Sequence, residues 1–175
     1  MASIVLAACG AADSKFVRGK GLTVAALPAE ARARVYEAAV HGAFDPDPSL
    51  SLLLDSRQLP REVGLAVQGT LPDSVAAELQ RRGVTRGACE PPLGVIGVPH
   101  CTAAMPGYVI RFSPVFEIRP DSVQVYIYVQ KYDTPNSEPS QTLRFERAYQ
   151  VVRRGDAWNA VLEGRIPGEV RGERR

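Results

Sequence analysis

Histidine is scarce in this chain of 175 residues, which contains only His41 and His100. Catalytic triads and many metal sites depend on histidine, so this chain has few residues from which either could be built. The sequence also lacks a Gly-x-Ser-x-Gly elbow, a phosphate-binding Gly-rich loop and a His-Glu-x-x-His helix. His41 falls near the end of a predicted helix, where the helix dipole stabilises a cation. We therefore expect no catalytic residue, no metal and no cofactor.

Lysine is scarce too, and the formal net charge is only +2. The chain has 18 arginines and 3 lysines, and the basic residues are scattered along its length. A nucleic-acid interface needs a basic stripe with stacking aromatic residues. The charge pattern therefore indicates solvated surface and no nucleic-acid partner.

The apolar run at the N-terminus is too short to cross a membrane. It ends in Leu6-Ala7-Ala8-Cys9, which resembles a bacterial lipobox. In that pattern small residues fit the signal peptidase and the cysteine thiol becomes diacylated, so Cys9 is the predicted lipidation site. Because no basic region precedes the run, we expect the true start to lie upstream of Met1. The alternative is a frayed N-terminus or a buried first strand, 2–8.

Lipidation at Cys9 would determine the location and the organisation of the chain. It would anchor the protein to the periplasmic face of a bacterial cell-envelope membrane, whereas a protein without the lipid would be cytoplasmic. We expect 1–9 to be a partial signal segment, 10–21 a tether, 22–166 one α+β domain and 167–175 a disordered tail. The expected partners are the membrane and a protein or other envelope component.

Two further cysteines, Cys89 and Cys101, flank a segment rich in proline and glycine. An even pair in an oxidising compartment predicts a disulfide, which would stabilise the fold by about 3 kcal/mol in the chain-entropy model. Free buried thiols are one alternative. A zinc site with His100 is another, but it supplies three ligands where structural zinc takes four.

Asp45 and Asp47 resemble the opening of a calcium loop whose glycine and final glutamate are missing.

Residues 107–166 predict a four-stranded antiparallel meander, because apolar side chains recur there at every second position. Pro114 interrupts the first strand and predicts a bulge or an edge, since proline cannot donate to a ladder. Gly155 lies in a tight turn between the last two strands. The alternating residues are Tyr108, Ile110, Phe112, Phe116 and Ile118; Val123, Val125, Ile127 and Val129; Leu143, Phe145, Tyr149 and Val151; and Trp158, Ala160, Leu162 and Ile166.

Two helices are predicted to cover the aliphatic face of this sheet. The first runs from Leu27 to about Ala43, and the second from Leu71 to Gly83, where Asp73 or Ser74 can cap. A short apolar run, 50–55, predicts a buried strand. The expected fold class is therefore α+β, with a C-terminal four-stranded antiparallel meander under an N-terminal helix and a second short helix.

The other face of the second strand is the predicted binding surface. It carries Gln124, Tyr126, Tyr128 and Gln130. Tyrosine offers rigid area with a polar tip, which suits a protein or glycan partner. The alternative is an ordinary cross-strand ladder in which the tyrosines shield the sheet.

Arg147 is the last member of this candidate binding surface. It falls in the apolar phase of the third strand, so it is either a register defect or an inward charge. A buried arginine needs an anionic partner, from the protein or from a ligand. Glu117 or Glu163 would satisfy that need without a ligand.

The segment Val151-Val-Arg-Arg-Gly-Asp-Ala-Trp158 resembles the last hairpin of NTF2-like (SnoaL-like) domains, which finish with an apolar strand, a charged glycine turn and an aromatic residue. The order of elements is also similar to that of small bacterial secreted α+β domains. The resemblance to NTF2-like domains implies a cone-shaped fold with a pocket. Enzymes of that fold place an Asp/His pair inside the cavity, and no such pair matches positions here.

Two functions follow from the sequence. The preferred one is a non-enzymatic, membrane-anchored periplasmic lipoprotein domain that binds a protein or envelope partner through its sheet face. The alternative is a cone-type pocket domain that binds or transforms a small ligand, with Arg147 and the tyrosines lining the cavity. The sequence favours the absence of enzymatic activity but does not decide it.

Overall fold

The computed structural model describes residues 16–43, 49–62, 69–89, 107–132 and 144–165. Within these residues the fold is α+β, with two helices and one mixed sheet. Neither helix is long and apolar enough to cross a bilayer. The elements are β1 (Thr23–Val24), α1 (Ala29–Ala43), β2 (Ser51–Leu54), α2 (Asp73–Arg81), β3 (Gly87–Ala88), β4 (Gly107–Phe112), β5 (Phe116–Arg119), β6 (Ser122–Tyr132), β7 (Arg144–Arg154) and β8 (Ala157–Arg165).

The sheet has eight strands in the described part of the chain, where the sequence predicted four. The predicted first strand is divided into β4 and β5, because Pro114 lies between them and cannot donate to the ladder. β4 pairs antiparallel with the last half of β6, and β5 pairs with its beginning. β7 pairs antiparallel with the other edge of β6, and β8 pairs with β7.

The first half of the chain supplies three more strands that the sequence did not assign to this sheet. β1 pairs antiparallel with β5. β2 pairs parallel with β4, so that Leu52 lies opposite Tyr108 and Leu54 opposite Ile110. β3 pairs parallel with β2. Parallel pairing needs a long crossover connection, which is why a hairpin-based prediction missed it.

One face of the sheet packs against the helices. Along β6, Val123, Val125, Ile127 and Val129 are buried on this face, as the period-two pattern predicted. The helix α1 lies over β8, β7 and β6 and contributes Tyr36, whose ring stacks on Phe112 with 4.2 Å between the ring centroids. The Tyr36 hydroxyl donates a hydrogen bond to the Ser113 carbonyl at 2.9 Å, so the only polar atom of this side chain is satisfied.

The helix α2 packs against α1 through the buried residues Val75 and Leu79. Its N-cap is Pro72, and no side chain makes a capping hydrogen bond. The prediction that Asp73 or Ser74 caps this helix is therefore wrong. At the other end Gly83 has a φ of +75°, as expected of a glycine that follows a helix.

The other face of the sheet is covered by residues 16–22 and by the chain around Leu59. Phe116, Tyr126, Tyr128 and Ala148 form a second, smaller core there, against which Phe16 and Leu22 pack. Residues 16–21 thus belong to the fold, although the sequence placed them in the tether. The physical reason is that Phe16 and Leu22 bury apolar surface on the sheet.

Gly19 allows the covering segment to approach the sheet closely. Its φ is +59°, and a Cβ at this position would overlap the ring of Phe116. Gly21 also has a positive φ, +77°, but a Cβ there would meet nothing within 4 Å. The two glycines therefore share a backbone requirement and differ in their contact with the sheet.

We predict that Gly19→Ala destabilises the fold by more than the ~1–2 kcal/mol expected for a left-handed alanine, because it also displaces the Phe116 ring. Gly21→Ala is the matched control and should show the backbone cost alone. Urea unfolding of both variants measures the difference. Equal losses of stability would mean that the close approach of Gly19 to Phe116 contributes nothing.

Candidate functional site

The side chains predicted to form a binding surface on β6 are mostly buried. The exposed fractions are 4% for Tyr126, 8% for Tyr128 and 5% for Gln130, and Gln124 is half-buried. The Tyr126 hydroxyl accepts a hydrogen bond from the Gly19 amide at 3.1 Å and donates one to Oε1 of Gln124 at 2.9 Å. A partner would have to displace residues 16–22 or the chain around Leu59 to reach these tyrosines, so they are internal packing residues.

A buried ion pair holds residues 16–22 against the sheet. The Arg18 guanidinium donates two parallel hydrogen bonds to the Glu146 carboxylate. One joins Nε to Oε1, and the other joins Nη2 to Oε2 at 2.6 Å. Their side chains are 2% and 0% exposed. The remaining Nη1 of Arg18 donates to the Pro60 carbonyl at 2.6 Å. One guanidinium therefore joins three parts of the chain.

A second ionic group lies at the end of β2. The Asp55 carboxylate accepts hydrogen bonds from Arg57, at 2.9 Å to Oδ1 and 2.7 Å to Oδ2, and from Arg111 at 3.0 Å. The Arg111 guanidinium also lies 5.8 Å from the centre of the Tyr128 ring. Burial alone would raise the pKa of Asp55, but the hydrogen bonds from Arg57 and the charge of Arg111 outweigh it and hold the pKa below its ordinary value.

Arg147 points toward the helices, as the prediction of an inward charge requires, and the register between β7 and β8 also shifts beside it, between Ala148 and Tyr149. It lies opposite Ile127 in the β6–β7 register, on the face that packs against α1. Its Nη1 donates to the Ala43 carbonyl at the C-terminus of α1 at 2.6 Å, and its guanidinium lies 4.4 Å from the centre of the Phe145 ring. The negative end of the helix dipole is thus its anionic partner, in place of the predicted Glu117 or Glu163.

A cleft of about 360 Å³ opens where the first turn of α1 meets the β7–β8 turn. Its charged side chains are Glu30 and Arg34 on α1, Arg153 at the end of β7 and Asp156 in the turn. Trp158, the only tryptophan of the chain, lines it at the start of β8. Leu27, Pro28, Ala31 and Pro120 complete the wall.

The polar groups of this cleft keep unused hydrogen-bonding capacity. The Arg34 Nη2 bonds the Glu30 carboxylate at 2.6 Å, and its Nη1 reaches the Asp156 carbonyl at 3.5 Å, the outer limit of a hydrogen bond. The Nε of Arg34 also has no hydrogen-bond partner in the described part of the chain, but it is buried and so is not presented to the cleft. Arg153 donates from Nε to the Gly155 carbonyl at 3.0 Å, which helps to shape the turn.

No family model, curated protein or solved structure matches this chain. We therefore infer the function from the residues of this protein alone. Among its described surfaces we take the Trp158 cleft as the candidate site, because it combines concavity, an aromatic ring and four charged residues. A second cleft of about 420 Å³ includes Glu62 and Gly69, which border residues outside the described ranges.

The remaining predicted sites are the cysteines. Cys9 and Cys101 lie outside the described residues, as does the Asp45-Pro-Asp47 segment. Cys89 is buried beside Val109 at the end of β3 and is not a free side chain. Its pairing with Cys101 stays a prediction. In the part of the chain that the structure describes, no three side chains of the metal-binding types gather into a cluster.

Sequence reasoning missed the cleft because its two halves are far apart along the chain. Arg34 and the Asp156 carbonyl are separated by 122 positions. The turn around Gly155 and the tryptophan that follows were recognised only as a hairpin. Nothing in the residue pattern signals that the start of α1 lies beside this turn.

We predict that Glu146→Gln destabilises the fold by about 3–5 kcal/mol, because it leaves the Arg18 charge buried without its counter-ion. The exposed Glu163, which accepts a hydrogen bond from Gln124 at 2.5 Å, provides the control. Glu163→Gln should cost less than about 0.5 kcal/mol. Urea unfolding at pH 7 compares the two variants.

A double variant tests whether the pair acts as a unit. Arg18→Met combined with Glu146→Leu removes both charges and should be more stable than Glu146→Gln alone. If the double variant loses as much unfolding free energy as the single variants Arg18→Met and Glu146→Leu lose together, the two residues act independently.

We also predict that Asp55 makes the protein sensitive to acid. Because the folded-state pKa of Asp55 is lowered, its contribution to stability is complete above the unfolded-state value of about 3.9 and is lost as pH falls through the folded-state value. Asp55→Asn should cost about 3 kcal/mol at pH 7 and should remove part of the acid sensitivity below about pH 4. Unfolding free energies measured between pH 7 and pH 2 that run parallel in the two proteins would contradict this.

Proposed function

We propose that this chain is a non-enzymatic, membrane-anchored periplasmic lipoprotein domain that binds an envelope partner in the Trp158 cleft. The observation that carries the proposal is the cleft itself. Two guanidinium groups, two carboxylates and one indole ring line it, from the first two turns of α1 and from the tight β7–β8 hairpin. Ordered elements of this kind hold a binding site in place before the partner arrives.

The composition of the cleft favours binding over catalysis. None of its nine lining residues is a histidine, cysteine, serine or lysine. Those four residue types supply many of the nucleophiles and general bases of enzymes. The two carboxylates differ in their surroundings. Glu30 forms an ion pair with Arg34, whereas Asp156 lies exposed in the turn.

The anchor is supported by the sequence before the domain. Leu6-Ala7-Ala8-Cys9 has the form of a lipobox, and Phe16, which packs against the sheet, lies seven positions after the cysteine. A chain of that length spans at most about 25 Å, so a lipid on Cys9 would hold the domain close to the membrane surface. A Cys89–Cys101 disulfide fits the same oxidising compartment.

The cone-type pocket is the less favoured function, because the face of the sheet under the helices is already filled. Tyr36, Phe112 and Ile127 are each 0–1% exposed in the space between α1 and the strands. Arg147 is held there by the Ala43 carbonyl, and neither of the two clefts includes it. A small ligand would have to displace this packed core.

We predict that Trp158 is needed for attachment to the envelope even when the lipid is removed. The unlipidated full chain, carrying Cys9→Ser, is mixed with isolated cell envelopes and the bound fraction is measured after sedimentation. Adding Trp158→Ala should lower the bound fraction about tenfold, the effect of a single well-buried contact. Adding Val161→Ala, which changes an exposed apolar residue of the same strand, should leave it unchanged.

Two results would contradict the proposal. One is equal sedimentation of the Trp158→Ala and Val161→Ala proteins, provided that both remain folded by circular dichroism. The other is an intact, unlipidated protein beginning at Met1 and recovered from the cytosol of the native cells, as judged by mass spectrometry.

A further inference from the structure

We infer that the ligand of the Trp158 cleft is a neutral saccharide unit of an envelope glycan. The inference rests on the proposed function and names the chemical class of the partner. It follows from the balance of charges, the kinds of hydrogen-bonding groups and the aromatic ring that the cleft brings together.

The charges of the cleft cancel. Arg34 and Arg153 contribute two positive charges, and Glu30 and Asp156 contribute two negative charges. An acidic peptide or a phosphate would approach two carboxylates as well as two guanidinium groups, and a basic peptide would meet the opposite difficulty. A neutral ligand avoids both repulsions.

The cleft offers donors and acceptors side by side. Guanidinium groups only donate hydrogen bonds and carboxylates only accept them. A hydroxyl group does both, so a ligand rich in hydroxyl groups can bond to each of these side chains at once. The Arg34–Glu30 pair does not prevent this, because its side chains are 39% and 59% exposed and an ion pair at that exposure contributes little stability.

Trp158 supplies the apolar part of the site. It is half-buried at the edge of the main core, so its ring is held in place while part of it remains accessible. Pro120 and Leu27 add apolar surface nearby. A sugar ring has an apolar face of C–H groups and a rim of hydroxyl groups, and the cleft combines an aromatic ring with four charged side chains. Its volume of about 360 Å³ lies at the lower end of the range for small-ligand sites.

Intrinsic fluorescence tests this inference directly, because Trp158 is the only tryptophan in the chain. The unlipidated full chain is titrated with chitotriose and with cellotriose, two neutral trisaccharides, up to about 50 mM, a range that includes weak affinities. We expect a saturable change in the Trp158 emission with at least one of them. The affinity should be the same in about 0.05 M and 0.5 M salt, since a neutral ligand is not subject to ionic screening.

Variants distinguish the cleft from the rest of the hairpin. Arg153→Ala should weaken saccharide binding about tenfold, because it removes a charged donor from the cleft. Arg154→Ala changes the neighbouring exposed arginine, which does not line the cleft, and should leave the affinity unchanged. Glu30→Gln should also weaken binding, whereas it would strengthen the binding of an acidic peptide.

The inference is overturned if neither trisaccharide changes the Trp158 emission, or if a peptide of glutamates or of lysines binds more tightly than both. Such a result, combined with Trp158-dependent sedimentation with envelopes, would leave the proposed function intact and assign the cleft to another ligand. Sedimentation that does not depend on Trp158 would instead remove the proposed function, whatever the trisaccharides do.

Discussion

The fold depends on a strand, β6, that is buried on both of its faces. Its aliphatic side chains pack under α1, and its tyrosines pack under residues 16–22. Antiparallel sheets often leave one face to solvent, so the second cover is a specific feature of this chain. This cover requires that residues 16–22 be held against β6 and β7, which lie much later in the chain. The buried pair between Arg18 and Glu146 does this, since its two partners are 128 positions apart.

That ion pair specifies a position more than it supplies stability. A buried pair recovers in its own attraction roughly what its charges lose on leaving water, so its net contribution is small, while the loss of one partner is costly. The Arg18 guanidinium also donates to the Pro60 carbonyl, which sets the 55–62 segment against the same face. An apolar contact between Phe16 and Tyr126 would permit several orientations, whereas a two-point hydrogen-bonded pair permits one. The second face is therefore ordered by charge and filled by aromatic rings.

The sequence predicted the elements well because helices and strands follow from local periodicity. The residues of α1, α2, β2 and β6 to β8 lie close to where the alternation and the apolar stripes placed them. What covers each face depends on distant parts of the chain. Tyr126 and Tyr128 alternate with valine and isoleucine, which shows that the two tyrosines share a face. The same alternation would be found whether that face met solvent or residues 16–22. The partner of Arg147 could not be predicted from the sequence either. It is the Ala43 backbone carbonyl, which no residue pattern identifies.

The positions of Phe16 and Trp158 in the fold are compatible with the proposed function. Phe16 packs against the second core, on the tyrosine face of the sheet, while Trp158 packs against the main core on the helix face. The proposed lipid on Cys9 would join the chain seven positions before Phe16, whose ring lies on the tyrosine face, while the Trp158 cleft opens beside the helix face. The proposed anchor and the proposed glycan site therefore do not require the same face of the sheet, and neither proposal excludes the other.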